Sequence, residues 1–451
     1  MKCYELLRIG NREVVMWMLR FLIVPIVLFG GVASARADTP CPLSSAATAL
    51  PAPSLDQKIW IATRVYDTVE RYFAHWEALP PDYDFDAHYK VFVNQAVAAK
   101  TRIAFDLSVM KLFGSLANGH TNFFDAELMC HNTLPFRAQP SQDGWVIVRS
   151  HHPDLVPGDV ITAIDGQNFS RWVDLHIPYV RGSNAVASQN RLFARALVWP
   201  VRFKLTLGDG KKVTVDRDVP YTGPSRGLPP PPTETQTTVT REGIARIAIP
   251  SFGEARYEDA AVAAVKAHAN APAILFDLRG NNGGSTPMAL IRTVLEKPMP
   301  DMLSTTPLHI GVLKAWSQSG DQILPNAMVR DGGEIIQPDH PVFHGRVFVL
   351  TDRHCVSACE DFVLAMRVSH RATILGETTE GSTGQPYSVD FPALNMTFRV
   401  STRREYYPDG SPFEGIGVRP DIEIPVTRAM LASREDAVLE QVLSLIRQSK
   451  H

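Results

Sequence analysis

Alternating strands and helices in the C-terminal half constrain the fold of this chain most. Ile244–Ile249 and Ala273–Asp277 are β-branched apolar runs that predict buried strands, and Tyr257–Asn270 between them predicts a helix. A third run, Val347–Leu350, precedes a helix predicted over Ala358–Val368. Such alternation is typical of an α/β domain with a largely buried sheet.

A serine, Ser357, lies at the turn between the third strand and its helix. A hydroxyl at such a turn can point into a cleft, and the first N–H groups of the helix can hold an anion there. This is the geometry that acyl transfer requires of a nucleophile and its oxyanion hole. The alternative interpretation is an ordinary helix start capped by the serine.

A glycine-rich turn, Gly280–Gly284, follows the second strand and precedes a helix predicted over Pro287–Glu296. Glycines there let backbone N–H groups approach a ligand closely. The turn lacks the G-x-G-x-x-G spacing of dinucleotide sites and the lysine of a phosphate-binding loop. We therefore predict an oxyanion donor here, and neither a cofactor nor a metal ion.

The rest of the chain divides by composition. Residues 38–54 are rich in Pro, Ala and Ser and predict a loose linker, and residues 55–130 have helical periodicity. Residues 131–222 alternate like strands, and residues 223–238 form a Pro-rich linker. Residues 239–451 carry the alternating strands and helices and form the predicted C-terminal domain, which contains Ser357.

The N-terminus is typical of a secretory signal peptide over residues 1–37. Basic residues precede the uncharged run Phe21–Ala35, and Ala35-Arg36-Ala37 fits a small-x-small cleavage pattern. The run is shorter than the roughly 20 residues of a membrane-spanning helix. We expect an exported protein, periplasmic or secreted, without a stable membrane span after cleavage. An uncleaved anchor is the alternative.

The charge balance does not favour nucleic acid as a partner. The formal net charge is −2, and 20% of the residues are charged. A protein that binds nucleic acid or an anionic membrane surface usually carries a basic surplus.

Within the β-rich region, Asp154–Gly166 reads DLVPGDVITAIDG. This resembles the PDZ domain signature, in which a leucine-x-x-Gly-Asp turn precedes a strand and a second Gly turn. PDZ domains bind extended peptides by adding a strand to a sheet edge. A small β module with only a structural role is the alternative.

Four segments in the same order resemble the S41 family of serine peptidases. They are DLRGNNGG at 277–284, VSACE at 356–360, GETTEGSTGQ at 376–385 and FEGIGVRPDIEIP at 413–425, and NGHT at 118–121 resembles a further family segment. The resemblance covers roughly residues 100–445. It implies a multidomain α/β fold with a helical N-terminal region, a PDZ-like β-rich domain and a ClpP/crotonase-like catalytic core.

The resemblance implies that Ser357 is the nucleophile. Tail-specific members of the family activate their serine with a lysine, but Ser382 stands in that place and no lysine lies between Lys314 and Lys450. The tricorn-like branch uses a histidine and a glutamate, which His120 and Glu414 match. We therefore predict a Ser–His–Glu arrangement.

Each predicted residue has a chemical role. His120 accepts the proton of Ser357 and later passes it to the leaving amine, and Glu414 orients the imidazole directly or through another group. The backbone N–H of Ala358 and that of Gly283 or Gly284 hold the oxyanion.

Cysteines flank the serine at Cys355 and Cys359. With His354 they form the pattern H-C-x-x-x-C. A zinc site would need one or two ligands more than this pattern provides. The predicted role of Cys359 is therefore packing in the buried core. A cysteine nucleophile is a less favoured alternative. Cys41 and Cys130 are a possible disulfide pair, although spacing does not set connectivity.

These observations predict an exported serine endopeptidase that hydrolyses peptide bonds in peptides or unfolded proteins. A catalytically inactive protein of the same fold that binds peptides or apolar ligands is the alternative, because a fold alone does not fix a function.

Overall fold

The structure is a computed structural model, and it describes residues 44–129, 134–307, 328–340, 343–433 and 435–449. The predicted signal peptide and the possible Cys41–Cys130 pair lie outside these residues. Among the described residues, no helix combines the length and the apolar character that crossing a bilayer requires.

Three helices form the N-terminal region, as predicted, and further helices accompany the strands. They are α1 (Leu55–Tyr72), α2 (Phe85–Ala98), α3 (Arg102–Ser115), α4 (Phe169–Val180), α5 (Ala185–Ala194), α6 (Ala255–Ala267), α7 (Met288–Val294), α8 (Ala358–Val368), α9 (Arg428–Ala432) and α10 (Ala437–Gln448). Four-residue helices occur at Ser44–Ala47 and Ala126–Met129. The first of these lies in the segment predicted as a loose linker.

The strands form several sheets. They are β1 (Asn122–Asp125), β2 (Phe136–Ser141), β3 (Gly144–Ser150), β4 (Val160–Ile164), β5 (Gln167–Asn168), β6 (Arg202–Leu207), β7 (Lys212–Asp216), β8 (Arg226–Gly227), β9 (Gln236–Val239), β10 (Ala245–Ala248), β11 (Ala273–Asp277), β12 (Met299–Pro300), β13 (Leu303–Pro307), β14 (Met328–Gly332), β15 (Ile335–Ile336), β16 (Arg346–Thr351), β17 (Ala372–Gly376), β18 (Pro386–Phe391), β19 (Met396–Ser401), β20 (Arg404–Tyr406) and β21 (Ile422–Glu423).

The central sheet has the order β21-β17-β16-β11-β10-β9. Its strands pair in parallel except for β9, which runs antiparallel to β10. All five residues of β11 are buried, as expected of a parallel strand covered on both faces. The predicted mixed α/β architecture is confirmed, and β11 and α8 have the predicted bounds. In this sheet the carboxyl ends of β11 and β16 lie side by side, which brings the glycine-rich turn next to the serine turn.

The β-rich region forms a separate sheet of order β2-β3-β4-β6-β7, with β5 on β4 and β8 on β3. Helices α4 and α5 cross over between β5 and β6. Its aromatic side chains, among them Trp145, Phe169 and Trp199, pack within 6.0 Å between ring centroids. They belong to a buried core that also includes Phe113 of α3 and Phe398 of β19.

Two predicted boundaries differ from the structure. The segment predicted as a Pro-rich linker over 223–238 supplies β8 to the β-rich sheet and most of β9 to the central sheet. Strands this short lie at the edges of their sheets and can form from few residues, so the composition of the segment does not reveal them. The helical region predicted over 55–130 also contains β1, which pairs antiparallel with β19. Because of this pairing, the residues just after His120 lie beside β19 of the C-terminal part of the chain. Further small sheets have the orders β14-β13-β20 and β12-β15.

Candidate active site

Ser357 lies between β16 and α8 in a strained backbone conformation. Its φ is 60° and its ψ is −131°, a region that non-glycine residues rarely occupy and that costs about 1–3 kcal/mol. Two contacts hold it there. The Ser357 N–H lies 2.9 Å from the carbonyl oxygen of Ser382 and 3.3 Å from Oε2 of Glu360. Strain of this kind is common where a side chain must be aimed at a reacting group.

A disulfide joins Cys355 and Cys359 across the serine. Both residues are fully buried, as predicted for Cys359, whereas the sequence did not predict the bond between them. The bond also excludes the alternative of a cysteine nucleophile in this state, because neither sulfur is a thiol or thiolate. The residues that the structure describes contain no cluster of ligands suited to a metal ion.

His120 reaches Ser357 across 237 positions of sequence. Its Nε2 lies 3.1 Å from the Ser357 hydroxyl oxygen. The turn that follows α3 fixes the histidine, because the His120 N–H donates to Oδ1 of Asn118 at 2.8 Å. The structure thus brings together two residues that the sequence proposed as partners.

The second nitrogen of the imidazole contacts a residue that the sequence did not assign to this role. His120 Nδ1 lies 3.0 Å from the hydroxyl oxygen of Ser382. Ser382 stands where the tail-specific members of the family have their lysine. That replacement is the sequence signal from which a role for Ser382 could have been predicted. A Cβ on Gly119 would fall 2.0 Å from this hydroxyl, so glycine at 119 permits the close approach.

Glu414 does not hydrogen-bond to His120. Its Oε1 accepts from the N–H and the hydroxyl of Thr383 at 3.1 and 2.7 Å. Its Oε2 is buried and has no partner among the described residues. Burial raises the pKa of Glu414 well above its ordinary value, and the hydrogen bond from the Thr383 hydroxyl opposes the increase. The direct form of the predicted Glu–His contact is therefore absent, and Glu414 contacts the residue next to Ser382 instead.

Glu360 organises the loop that carries Ser382. Its carboxyl oxygens accept from the N–H groups of Gly381 and Ser382 at 2.7 and 2.8 Å and from the Thr379 hydroxyl. Burial raises the pKa of Glu360 to about 8, and these hydrogen bonds oppose that increase. Glu360 belongs to the VSACE segment, but the local sequence does not indicate that it joins the serine turn to the 379–382 loop.

The environment of His120 favours the neutral imidazole. Burial lowers its pKa well below the ordinary value, and the nearby guanidinium groups of Arg399 and Arg191 lower it further. Arg191 also donates to the carbonyl oxygen of Gly119. A neutral imidazole can accept a proton, which a general base must do.

Of the predicted oxyanion donors, two have free N–H groups. Within the described part of the chain, the backbone N–H groups of Ala358 and Gly284 have no hydrogen-bond acceptor. The N–H of Gly283 donates to Oδ1 of Asn281 at 2.9 Å. Gly283 packs directly on the serine, since a Cβ there would lie 2.7 Å from Ser357 Cβ, and its φ of 86° also favours glycine. Gly283 therefore provides close packing, while Gly284 and Ala358 have the available donors.

Residues 243–424 match the family model described as peptidase family S41. This part of the chain is therefore an S41 peptidase region. Members of this family are serine-type peptidases and thus hydrolases, as the resemblance implied. The match includes Ser357, Gly284 and Glu414 but not His120, which precedes it.

A curated protein from Chlamydia trachomatis serovar D is 30% identical to this chain over 123 residues. The aligned region covers 26% of this chain and one fifth, 20%, of that protein.

Solved structures share the fold over most of the chain. Mature CPAF superimposes with a TM-score of 0.67 at 16% identity, covering 87% of this chain and 97% of that one. CPAF complexed with lactacystin gives 0.65 at 15% identity, with 87% and 98% covered. A candidate peptidase from Parabacteroides merdae gives 0.50 at 16% identity, with 88% and 98% covered. At these identities the likeness shows the fold, including the helical N-terminal region, and does not assign residues.

Proposed function

We propose that this protein is a serine endopeptidase that hydrolyses peptides or unfolded proteins, with Ser357 as the nucleophile and His120 as the general base. The observation that carries the proposal is the continuous contact of Ser357 Oγ with His120 Nε2 and of His120 Nδ1 with Ser382 Oγ. Activation of a hydroxyl requires a base within hydrogen-bond reach of the nucleophile and a third group that orients the base. Ser357, His120 and Ser382 would supply these three groups.

The proposed reaction begins with the neutral imidazole. His120 carries its proton on Nδ1, which donates to the Ser382 hydroxyl, so Nε2 is free to accept. Ser357 Oγ attacks the carbonyl carbon of the substrate as its proton moves to Nε2. The N–H groups of Ala358 and Gly284 bind the negative oxygen that forms. The imidazolium then gives this proton to the leaving amine, and a water molecule, deprotonated by the same nitrogen, hydrolyses the acyl-enzyme.

We propose that Glu414 is a positioning residue that acts through Thr383. Its hydrogen bonds from the Thr383 N–H and hydroxyl hold the loop immediately after Ser382. A hydroxyl therefore takes the position at Nδ1 where many serine peptidases place a carboxylate. We thus propose the indirect form of the Ser–His–Glu arrangement, in which Glu414 acts through another group.

The domain and location predictions remain proposals. We propose a PDZ-like peptide-binding domain over residues 131–222, supported by the separate β-rich sheet, and a periplasmic or secreted location. The Cys355–Cys359 disulfide supports export, because structural disulfides persist mainly in oxidising compartments.

The test is hydrolysis of casein, an unfolded protein, by the full chain and by Ser357→Ala. Ser369→Ala is the matched control, because Ser369 lies at the other end of the same helix and its hydroxyl only donates to the carbonyl groups of Ala365 and Met366. We expect Ser357→Ala to lose activity by about 10³-fold or more and Ser369→Ala to retain it. Full activity in Ser357→Ala would refute the proposal, and peptide binding without turnover by the unaltered chain would indicate the inactive binding protein.

A further inference from the structure

A large cavity lies beside the nucleophile turn. Its volume is about 910 Å³, within the range of ligand sites. One wall comes from β2 and β3 of the β-rich sheet, and the floor comes from the carboxyl ends of the central strands, including Thr351 and Gly376. Val356, which directly precedes Ser357, also lines it. A ligand in this cavity would therefore lie next to the reacting serine.

Two arginines face each other in the cavity wall. Arg137 of β2 and Arg149 of β3 are direct cross-strand partners, and both line the cavity. Like charges directly opposite each other in a sheet are destabilising. The pairing shifts register between Arg137 and Ala138, and such irregularities often re-aim side chains near active sites.

Arg137 has no compensating partner. In the part of the chain that the structure describes, it makes no hydrogen bond and no ion pair, and its side chain is exposed. The surrounding walls and the Arg149 charge lower its pKa. Arg149 donates to the carbonyl oxygens of Leu228 and Pro229. Burial lowers its pKa, and the nearby charge of Asp352 opposes this decrease.

Most of the remaining charged groups of the cavity have partners of their own. Arg246 and Arg279 on the floor are paired with Asp277, and Arg279 also with Asp436. Asp352 accepts from two backbone N–H groups.

Burial disfavours the charged form of three further groups of the cavity. It raises the pKa of Glu377 to about 7, also raises that of Glu380, and lowers that of His354. Among the described residues, Arg137 therefore presents an unpaired charge to the cavity, and Arg149 lies directly opposite it.

We propose that this cavity binds acidic side chains of the polypeptide substrate, with Arg137 and Arg149 as the carboxylate-binding pair. The inference deepens the proposed peptidase function and rests on it. Guanidinium groups suit carboxylates because they donate two parallel hydrogen bonds. A peptide fits the site better than a small anion, because the cavity has room for several residues and Val148, Leu228 and Val426 add apolar wall.

The test measures binding and cleavage separately. Two fluorescent peptides, identical except that one carries Glu where the other carries Gln, are titrated against the full chain with Ser357→Ala. We expect the Glu peptide to bind about tenfold more tightly, as charge-assisted hydrogen bonds allow. Adding Arg137→Gln should abolish this preference, whereas Arg202→Gln, an exposed arginine of the same sheet, should preserve it. The same peptides are then incubated with the chain that retains Ser357.

The outcomes distinguish the two claims. Equal binding of both peptides, binding of neither, or a preference that persists in Arg137→Gln overturns the acidic-substrate inference. A Glu preference without any cleavage by the chain that retains Ser357 overturns the peptidase function and, with it, the assignment of acidic peptides as substrates. Arg137→Gln should unfold at a temperature no lower than the parent, since it removes a repulsive pair, and this measurement verifies that the variant folds.

Discussion

At the scale of single residues, the site depends on how one imidazole is held. His120 contacts two hydroxyl groups, those of Ser357 and Ser382, and no carboxylate. The residue types at 120 and 357 could be predicted from short motifs. The contact with Ser382 could not, because it joins positions 262 apart, and a serine in the place of a lysine indicates only what is missing.

Replacing Ser382 with alanine should slow catalysis without weakening substrate binding. The change removes the acceptor at His120 Nδ1, so the imidazole loses its orientation, and kcat should fall by about tenfold, equivalent to about 1.4 kcal/mol. Steady-state kinetics should show KM nearly unchanged, and Ser369→Ala should match the parent. A normal kcat in Ser382→Ala would show that the hydroxyl contact is incidental.

Arg399→Gln should move the acid limb of the pH profile upward. The Arg399 guanidinium disfavours a second positive charge on His120 and so lowers the His120 pKa. Removing it raises that pKa, so the base is protonated at a higher pH, and activity under mildly acidic conditions falls. The limb of kcat/KM should shift by up to about one pH unit. Arg292→Gln, on an exposed ion pair with Asp339, is the control, and an unshifted limb would contradict the electrostatic explanation.

At the scale of elements, the turn between β16 and α8 is the critical piece. The strand and helix were predictable because β-branched periodicity and a helical pattern are local. The disulfide was not, because cysteine spacing leaves the pairing open. Two features hold the strained backbone of Ser357. One is the disulfide between Cys355 and Cys359. The other is the pair of hydrogen bonds that the Ser357 N–H donates to the carbonyl oxygen of Ser382 and the carboxyl group of Glu360.

Opening the disulfide should reduce activity. In a Cys355→Ala/Cys359→Ala variant the strained turn loses its covalent closure and populates relaxed conformations in which Ser357 points away from His120. We expect kcat to fall by several-fold, in line with a strain of about 1–3 kcal/mol. A reductant should lower the activity of the parent and leave the variant unchanged. Equal activity of parent and variant would show that the hydrogen bonds alone hold the turn.

At the scale of the whole molecule, the site is assembled from distant regions. Ser357 comes from the central sheet, whereas His120 comes from the turn between α3 and β1. The α/β architecture could be predicted from the sequence. The packing of the N-terminal helices against β18 and β19 in one core could not. The pairing of β1 with β19 in a small sheet produces no periodic pattern of apolar residues that would reveal it. His75 marks this junction, since its Nε2 lies 2.9 Å from the Ser401 hydroxyl of β19.

Acid should destabilise this junction. Burial lowers the pKa of His75 to about 3, so the unfolded chain binds a proton below about pH 6.5 that the folded chain does not bind. Stability should therefore fall as the pH decreases from 6.5 toward 3, by up to about 1.4 kcal/mol per pH unit for this residue. Chemical denaturation of His75→Gln should show a shallower pH dependence than the parent. An identical dependence would exclude His75 as its source.

Covalent labelling can measure whether His120 activates Ser357. A fluorophosphonate is reacted with the full chain and with His120→Ala, and peptide mass spectrometry locates and times the adduct. We expect an adduct on Ser357 that forms about 10²-fold or more slowly in His120→Ala. An adduct on another residue, or equal labelling rates in the two proteins, would show that His120 does not activate Ser357 as a nucleophile.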